Sequence, residues 1–240
     1  MSATASSTST AGRDLARTVL LYMDAAVRDE SFIVGPQVRA LEEYVSGVTG
    51  KSAVCVSSGP VGLMLVRRAG FAGAPLTVAS DAGAAVRAVV EGEGRLVQQA
   101  SALWADGVPV QGSLLVRDLT VPAEAAQCPG AVGTAEVVGI GEFASLVRQE
   151  RVARRVAAAD AVVVHAARDY GYGAGDFGIV ACSEETARRL RVLRNHGRDG
   201  LGTYLHAQVG FNNRMDEVQA RLLLDRIAAE VDDGAEGTAC

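Results

Sequence analysis

AVVVHAARDYGYGAGDFGIVACSEETARRLRVLRNHG, residues 161–197, is the stretch on which the fold reading rests. Ala161 to Val164 is a short apolar run rich in β-branched residues, and Gly178 to Cys182 is a second. Runs of this length between polar and glycine-containing segments are buried strands. Ser183 stands where an N-cap belongs, Glu184 and Glu185 fill the next turn, and Arg188, Arg189, Arg191 and Arg194 follow. A hydroxyl that accepts the first orphan N–H groups, then acid before base along the axis, is the order a helix favours. Gly197 is placed to stop that helix.

The same alternation extends upstream. Residues 13–29 carry Leu15, Val19, Tyr22, Met23 and Ala26 at helical spacing. Gly35-Pro36 opens a second helix, with Val38, Leu41, Val45 and Val48 as its stripe, Glu42 and Glu43 facing out and Gly50 at its end. Ala53–Val56 reads as a strand, running through Ser57-Ser58-Gly59-Pro60 into an apolar helix, Val61 to Val66. Leu76–Ala79, Arg95–Val97 and Leu114–Val116 read as further strands, Asp81 as a cap, and residues 144–157 as an Arg-rich helix. Gly130, Gly133, Gly139 and Gly141 break every periodic pattern in 120–150. A last helix is expected near Asn213, using Met215, Val218, Leu222 and Leu223. Alternating strands and helices predict an α/β, three-layer fold on a mainly parallel sheet, whose ligands sit at the carboxyl ends of the strands. One domain is expected over 13–231, between a disordered tail at 1–12 and a frayed one at 232–240.

Composition narrows the function classes. The chain has 240 residues, 49% hydrophobic and 21% charged, with a formal net charge of −5. No basic face stands out, so nucleic acid is not an expected partner. No run reaches the roughly 20 apolar residues of a membrane span, and a cytoplasmic protein is expected. Cys55, Cys128, Cys182 and Cys240 lie far apart without a CxxC pair, which reads as free thiols and no metal site.

Three segments carry a resemblance when taken together. They are Phe32-Ile33-Val34-Gly35-Pro36-Gln37-Val38 with Val54 to Gly59, then Gly175-Asp176-Phe177-Gly178 with Arg194-Asn195-His196-Gly197-Arg198, then Gly210-Phe211-Asn212-Asn213-Arg214-Met215-Asp216-Glu217. In this order they resemble the DegT/StrS family of sugar aminotransferases, fold-type I enzymes that use pyridoxal phosphate (PLP) on nucleotide-linked keto-sugars. The resemblance implies the large domain of such an enzyme, with the C-terminal small domain missing, and a dimer with active sites at the interface. It also implies a deoxysugar, antibiotic or other specialised-metabolite pathway. It makes Ser57, Ser58, Gly59 and Asn195 the cofactor-phosphate contacts, with Asn195 reaching across the dimer, and Arg198, Asn212 and Arg214 the border of the sugar-nucleotide site; the residues themselves equally allow a helix C-cap with solvated basic groups at Asn195, His196 and Arg198, and a fastening of the loop to the helix start by Arg214 and Asp216.

The departures are as informative. The position of the family's PLP lysine falls on or next to Asp169. A Schiff base needs a neutral amine, and neither a carboxylate nor a guanidinium provides one. Lys51 is the single lysine of the chain and precedes the first strand. Asp118 and Asp160 are the nearest substitutes for the acid that pairs with the pyridine nitrogen. Pro60 removes a hydroxyl and an N–H from the phosphate loop, which leaves Ser57–Gly59 open between a phosphate cradle and an ordinary helix cap. His165, Asp169 and Asp176 are candidate acids or bases, with a place in the core the favoured reading of His165. Tyr170 to Gly175 reads as a ligand-covering loop or a bridging turn.

Three functional readings follow. The favoured one is a non-catalytic, aminotransferase-like subunit that binds no PLP covalently and completes the site of a full-length PLP enzyme, any PLP or pyridoxamine phosphate (PMP) being held by that partner. The alternatives are a PLP-independent enzyme of dehydratase, epimerase or cyclase type, and a purely stabilising partner; a homodimer is the alternative assembly.

Overall fold

The computed structural model describes residues 10–72, 74, 76–78, 96–99, 114–118, 133–139, 154, 156–166, 177–199 and 206–236. Its strands are β1 (Ser52–Val56), β2 (Leu76–Val78), β3 (Leu96–Gln99), β4 (Leu114–Asp118), β5 (Gly133–Gly139), β6 (Ala161–Ala166) and β7 (Phe177–Cys182). Its helices with described bounds are α1 (Thr10–Arg28), α2 (Pro36–Thr49), α3 (Gly59–Gly70), α4 (Glu184–Arg194) and α5 (Glu217–Glu236), and residues 154 and 156–158 are helical as well. One sheet runs in the order β1-β7-β6-β5-β4-β2-β3. The pairs β6–β5, β5–β4, β4–β2 and β2–β3 are parallel. Only β7 is reversed, antiparallel to both β1 and β6. That reversal brings the start of β7 to the carboxyl ends of its neighbours, with Gly178 opposite both Val56 and His165.

Side chains alternate across the sheet with the period of two that a strand imposes. Val54, Val56, Val163 and Val180 face α3 and α4 and pack with Leu63, Leu65, Val66, Leu190 and Leu193. Ala53, Cys55, Val162, Val164 and Ile179 face the other way, onto Val38, Leu41 and Val45 of α2 and Ala220, Leu223 and Ile227 of α5. Each fully buried Leu or Ile contributes roughly 2 kcal/mol of burial free energy. The three layers are therefore α3/α4, sheet, and α2/α5, with α1 packed on α5. All six residues of β7 are buried, which accounts for its unbroken apolar run.

Local signals met their structures at several ends. Pro36 starts α2, and Gly50 ends it in a left-handed turn at φ 67°. Ser183 accepts from Thr186 N–H as the α4 cap. Cys55 and Cys182 are buried free thiols. Burial pushes both thiols up, Cys182 to about 12.

Four expectations change. Residues 120–150, unreadable from pattern, contain β5, a strand that begins and ends at Gly133 and Gly139. The last helix starts at Glu217, not near Asn213, and it runs to Glu236, past the expected boundary at 231; α1 likewise begins at Thr10, inside the expected tail. Glu42 does not face out: its side chain is 13% exposed and lies against Arg194. The Asp81 cap, most of the 144–157 helix, Cys128 and Cys240 lie outside the described residues.

Candidate functional site

Two carboxylates, Glu217 buried and Glu42 nearly so, hold the motif segments together. Arg194 is 4% exposed at the end of α4. Its Nη1 donates to Glu42 Oε1 at 2.7 Å and to the carbonyl of Cys55 at 2.6 Å. The same Glu42 oxygen accepts from the Cys55 N–H at 2.9 Å. A buried charge pair satisfied on both sides fixes α4, α2 and the end of β1 in one geometry. Glu217, also 4% exposed, accepts from the N–H groups of Gly35 (2.6 Å), Gln37 (2.7 Å) and Val38 (3.2 Å). It is thus the N-terminal cap of α2, supplied from 182 residues away. Asp216 caps its own helix, accepting from Gln219 N–H at 2.8 Å.

From these fasteners the chain builds a loop cluster at the carboxyl edge. Phe211 N–H donates to Leu193 O (2.7 Å), His196 N–H to Phe211 O (2.9 Å), and Asn213 N–H to Arg194 O (3.0 Å). Asn195 bridges Asn212, and Arg198 bridges His206. Gly197 has φ 76° and its N–H bonds Val192 O. A Cβ on it would stand 1.8 Å from Gln208 O, and a Cβ on Gly210 would stand 1.9 Å from Gly197 N. Two glycines back to back let the two loops touch.

Ser57 donates its N–H to Asn213 O at 3.1 Å, so the 210–217 segment also reaches the loop after β1. Ser58 Oγ accepts from Val61 N–H at 3.3 Å and caps α3. Gly62 N–H is taken by Ser58 O, and Pro60 has no N–H. His165, near the end of β6, lies against this turn. A Cβ on Gly59 would be 2.6 Å from His165 Nδ1, a buried nitrogen without a hydrogen-bond partner. The structure therefore gathers Ser57, Ser58, Gly59 and His165 at one strand edge, and Asn195, Arg198, Asn212 and Arg214 in the adjoining loops. Asp169 and Asp176 lie outside the described residues.

The loop cluster is cationic. Arg214 donates to Asn212 Oδ1 at 3.1 and 3.2 Å and lies 3.3 Å from His196 Nε2. Among the described residues neither Arg198 nor Arg214 pairs with a carboxylate, and Arg198 Nε is buried without a hydrogen-bond partner. Partial desolvation, then the charges of Arg214 and Arg198, push the His196 imidazole below its ordinary value. Such a field suits an anionic group.

The PLP that the resemblance implies can be tested against these residues. Lys51 lies just before β1, at the amino edge of the parallel strands, and its Nζ donates to Ala157 O at 3.2 Å. It is across the sheet from Ser57 and His165. Asp160 is at that amino edge too, accepting from Thr134 N–H at 2.8 Å, so it is no partner for a pyridine ring at the carboxyl edge. Asp118 closes β4, in register with Val137. The residues present do not fit a lysine-tethered PLP.

Glu42, Glu217 and Asn213 were missed by sequence reasoning as parts of this assembly. Glu217 carried a faint signal, an acid at the start of a helix, yet it serves a different helix. Glu42 carried none, since it sits on a helix beside Glu43 with nothing local to distinguish them.

Residues 150–232 match the DegT/DnrJ/EryC1/StrS aminotransferase family. A UDP-N-acetyl-3-dehydro-alpha-D-glucosamine 3-aminotransferase of Acidithiobacillus ferrooxidans is 29% identical over 235 residues, covering 85% of this chain and 60% of that protein. Among solved structures, NtdA of Bacillus subtilis with bound cofactor PMP has a TM-score of 0.66 at 15% identity, covering 91% of this chain and 53% of that one. DesV of S. venezuelae, in complex with a ketimine intermediate, gives 0.59 at 20%, covering 92% and 64%. The fold is that of fold-type I PLP aminotransferases. The chain spans less than two thirds of the length of each of these relatives.

Proposed function

From its place among DegT/StrS-type sugar aminotransferases, we propose that this chain is a non-catalytic, aminotransferase-like subunit that pairs with a full-length PLP-dependent sugar aminotransferase. It completes that enzyme's site across the interface, in a deoxysugar or other specialised-metabolite pathway. One observation carries this reading: the single lysine, Lys51, is held at the amino edge of the sheet, away from the loops where the motif residues converge. The motif residues that would act on a partner's ligand, Asn195, Arg198, Asn212 and Arg214, are meanwhile held in place by the buried Arg194 and Glu217. Arg198 and Arg214 offer charge to a phosphate. Exposed Phe32 and Ile33, 51% and 48% accessible, flank the same segment, since Phe32 O accepts from Glu217 N–H and Ile33 bridges Asp216. Large exposed apolar groups beside polar recognition residues mark interaction surfaces.

Co-expression with a full-length family member tests it. The two chains are expected to co-elute, and the partner's transamination rate to rise when this chain is present. Asn195→Ala with Arg198→Ala should keep the complex and cost about tenfold or more of the gain in rate. If the isolated chain, incubated with PLP, is reduced by borohydride to a stable adduct at the carboxyl edge, the reading fails.

The unpartnered His165 Nδ1 favours a second reading, cofactor-free acid–base chemistry at the same edge. It requires turnover by the isolated chain that His165→Asn abolishes.

A further inference from the structure

The His196 ring is held by a group that can only donate. Its Nε2 lies 3.3 Å from Arg214 Nη2. A guanidinium has N–H donors and no acceptor. Nε2 therefore supplies the lone pair, and the imidazole is neutral with its proton on Nδ1. His206 makes the opposite kind of contact. Its Nδ1 lies 2.6 Å from the His196 carbonyl oxygen. A carbonyl accepts, so that nitrogen carries hydrogen and keeps its bond in either charge state of the ring. Of the two imidazoles, His196 alone must give up a bond to take a proton.

The charged and titratable groups that face His196 are all basic. Its own loop contributes Arg198, and the segment across from it contributes His206 and Arg214. From α3, Arg68 stands over the ring of Phe211, whose carbonyl accepts from His196 N–H. The neighbouring acids are committed elsewhere: Glu42 to Arg194, Glu217 to the start of α2, Asp216 to Gln219 N–H. Asp199 is exposed. The backbone donors of the loop are used as well, His196 N–H by Phe211 O, Gly197 N–H by Val192 O and Arg198 N–H by Asn195 O. An anion arriving here meets side chains. Among the described residues Arg198 Nε is buried without a hydrogen-bond partner, and Arg214 is held by Asn212 Oδ1 and His196 alone.

A tetrahedral oxyanion changes this balance. It draws Arg214 Nη2 off the imidazole and frees the Nε2 lone pair, and its negative charge favours the protonated ring. One proton from solvent then turns Nε2 from an acceptor into a third cationic donor. We infer that the Arg198, His196 and Arg214 cluster binds the phosphate group of a ligand together with a proton, which His196 takes up. The inference rests on reading Arg198 and Arg214 as an anion site, and it needs no partner subunit. Coupling is reciprocal, so the grip on phosphate tightens as pH falls through the His196 titration.

Ring NMR on the isolated full chain at constant ionic strength tests it. Sulfate is the probe, because it carries no titrating proton near neutrality. The chain has three histidines, and His196 is assigned by its loss in His196→Asn. Sulfate is expected to move the His196 titration up by about one pH unit, and to bind about tenfold tighter well below that titration than above it. Asparagine keeps an acceptor for Arg214 and tolerates the left-handed backbone at φ 61°. His196→Asn should therefore still bind sulfate, with its pH dependence lost. Arg214→Gln should lose the sulfate-induced shift. Methyl phosphate and UDP should shift the ring as sulfate does, the tighter binder telling a terminal phosphate from a diphosphate. An equal shift with sodium chloride at the same ionic strength would mean an adventitious ion only and would overturn the inference. So would a wild-type chain that binds no sulfate, a His196 titration that sulfate leaves in place, or a pH dependence that survives in His196→Asn. No aminotransferase is present in these measurements, so their failure leaves co-elution standing, and failed co-elution leaves the proton uptake standing.

Discussion

Arg194 and Asn195 are neighbours in one motif, yet they stand in different environments. Arg194 is buried, and its charge is answered within the chain by Glu42 and by a β1 carbonyl. Asn195 and the residues after it sit in a loop cluster whose cations lack carboxylate partners among the described residues. The third motif divides the same way. Glu217 is consumed by three backbone N–H groups of α2, while Asn212 and Arg214 face each other and His196 at the surface. Family motifs of this kind are therefore mixtures. One part builds the platform, and retaining it says nothing about chemistry. The other part is displayed by the platform, and only there does a functional reading have residues to use.

The sharpest break of that contrast is at Arg194. Arg194→Ala leaves Glu42 buried without its counter-charge and is expected to cost about 3–5 kcal/mol in urea unfolding. A loss below about 1 kcal/mol would move Arg194 into the displayed class. Glu217→Ala strips the α2 N-terminus of its acceptor, and should cost about 2–3 kcal/mol by the same measurement, with faster amide exchange at Gln37 and Val38. Gly59→Ala drives a methyl group into the His165 ring and should cost about 1–3 kcal/mol; a neutral result would show that the ring is free to move. Asn195→Ala and Arg198→Ala, on the displayed side, should change stability by no more than about 0.5 kcal/mol each, so any effect on a partner's rate is a functional effect.

A smaller effect concerns pH. The His196 imidazole is held below its ordinary 6.5 in the folded chain, so the unfolded chain binds that proton more readily. Its contribution to folding is complete above the unfolded value of 6.5 and is lost as pH falls below that, through the lower folded value. The expected observation is a His196 ring resonance titrating below 6.5, with amide exchange in the 195–198 loop quickening on acidification. Titration at or above 6.5 would remove the cationic neighbours from the description of this loop.

How much could be read in advance varied with distance along the chain. Ser183 and Gly50 were legible because a cap and its helix lie within one turn. β1, β6 and β7 were legible because each is an apolar run on its own. β5 was not, because Thr134 and Glu136 interrupt its apolar pattern and glycines bracket it; its identity as a strand comes from Ala135 to Gly139 pairing with Ala161 to His165. Glu42 looked like its exposed neighbour Glu43 because the partner that turns it inward is 152 residues away.

The sequence by itself determined that Lys51 is the single lysine of the chain, that β1, β6 and β7 are buried, and that α2, α3 and α4 begin and end near where they do. Those are facts of residue identity and of hydrogen bonds closed within a few positions. Only the tertiary structure decided that β7 runs against its neighbours, that Lys51 and Asp160 belong to the amino edge, and that Arg194 and Glu217 are fasteners while Asn195 and Arg214 are displayed. Each of those depends on which distant groups meet in the absence of water, and burial of that kind leaves no local trace in the chain.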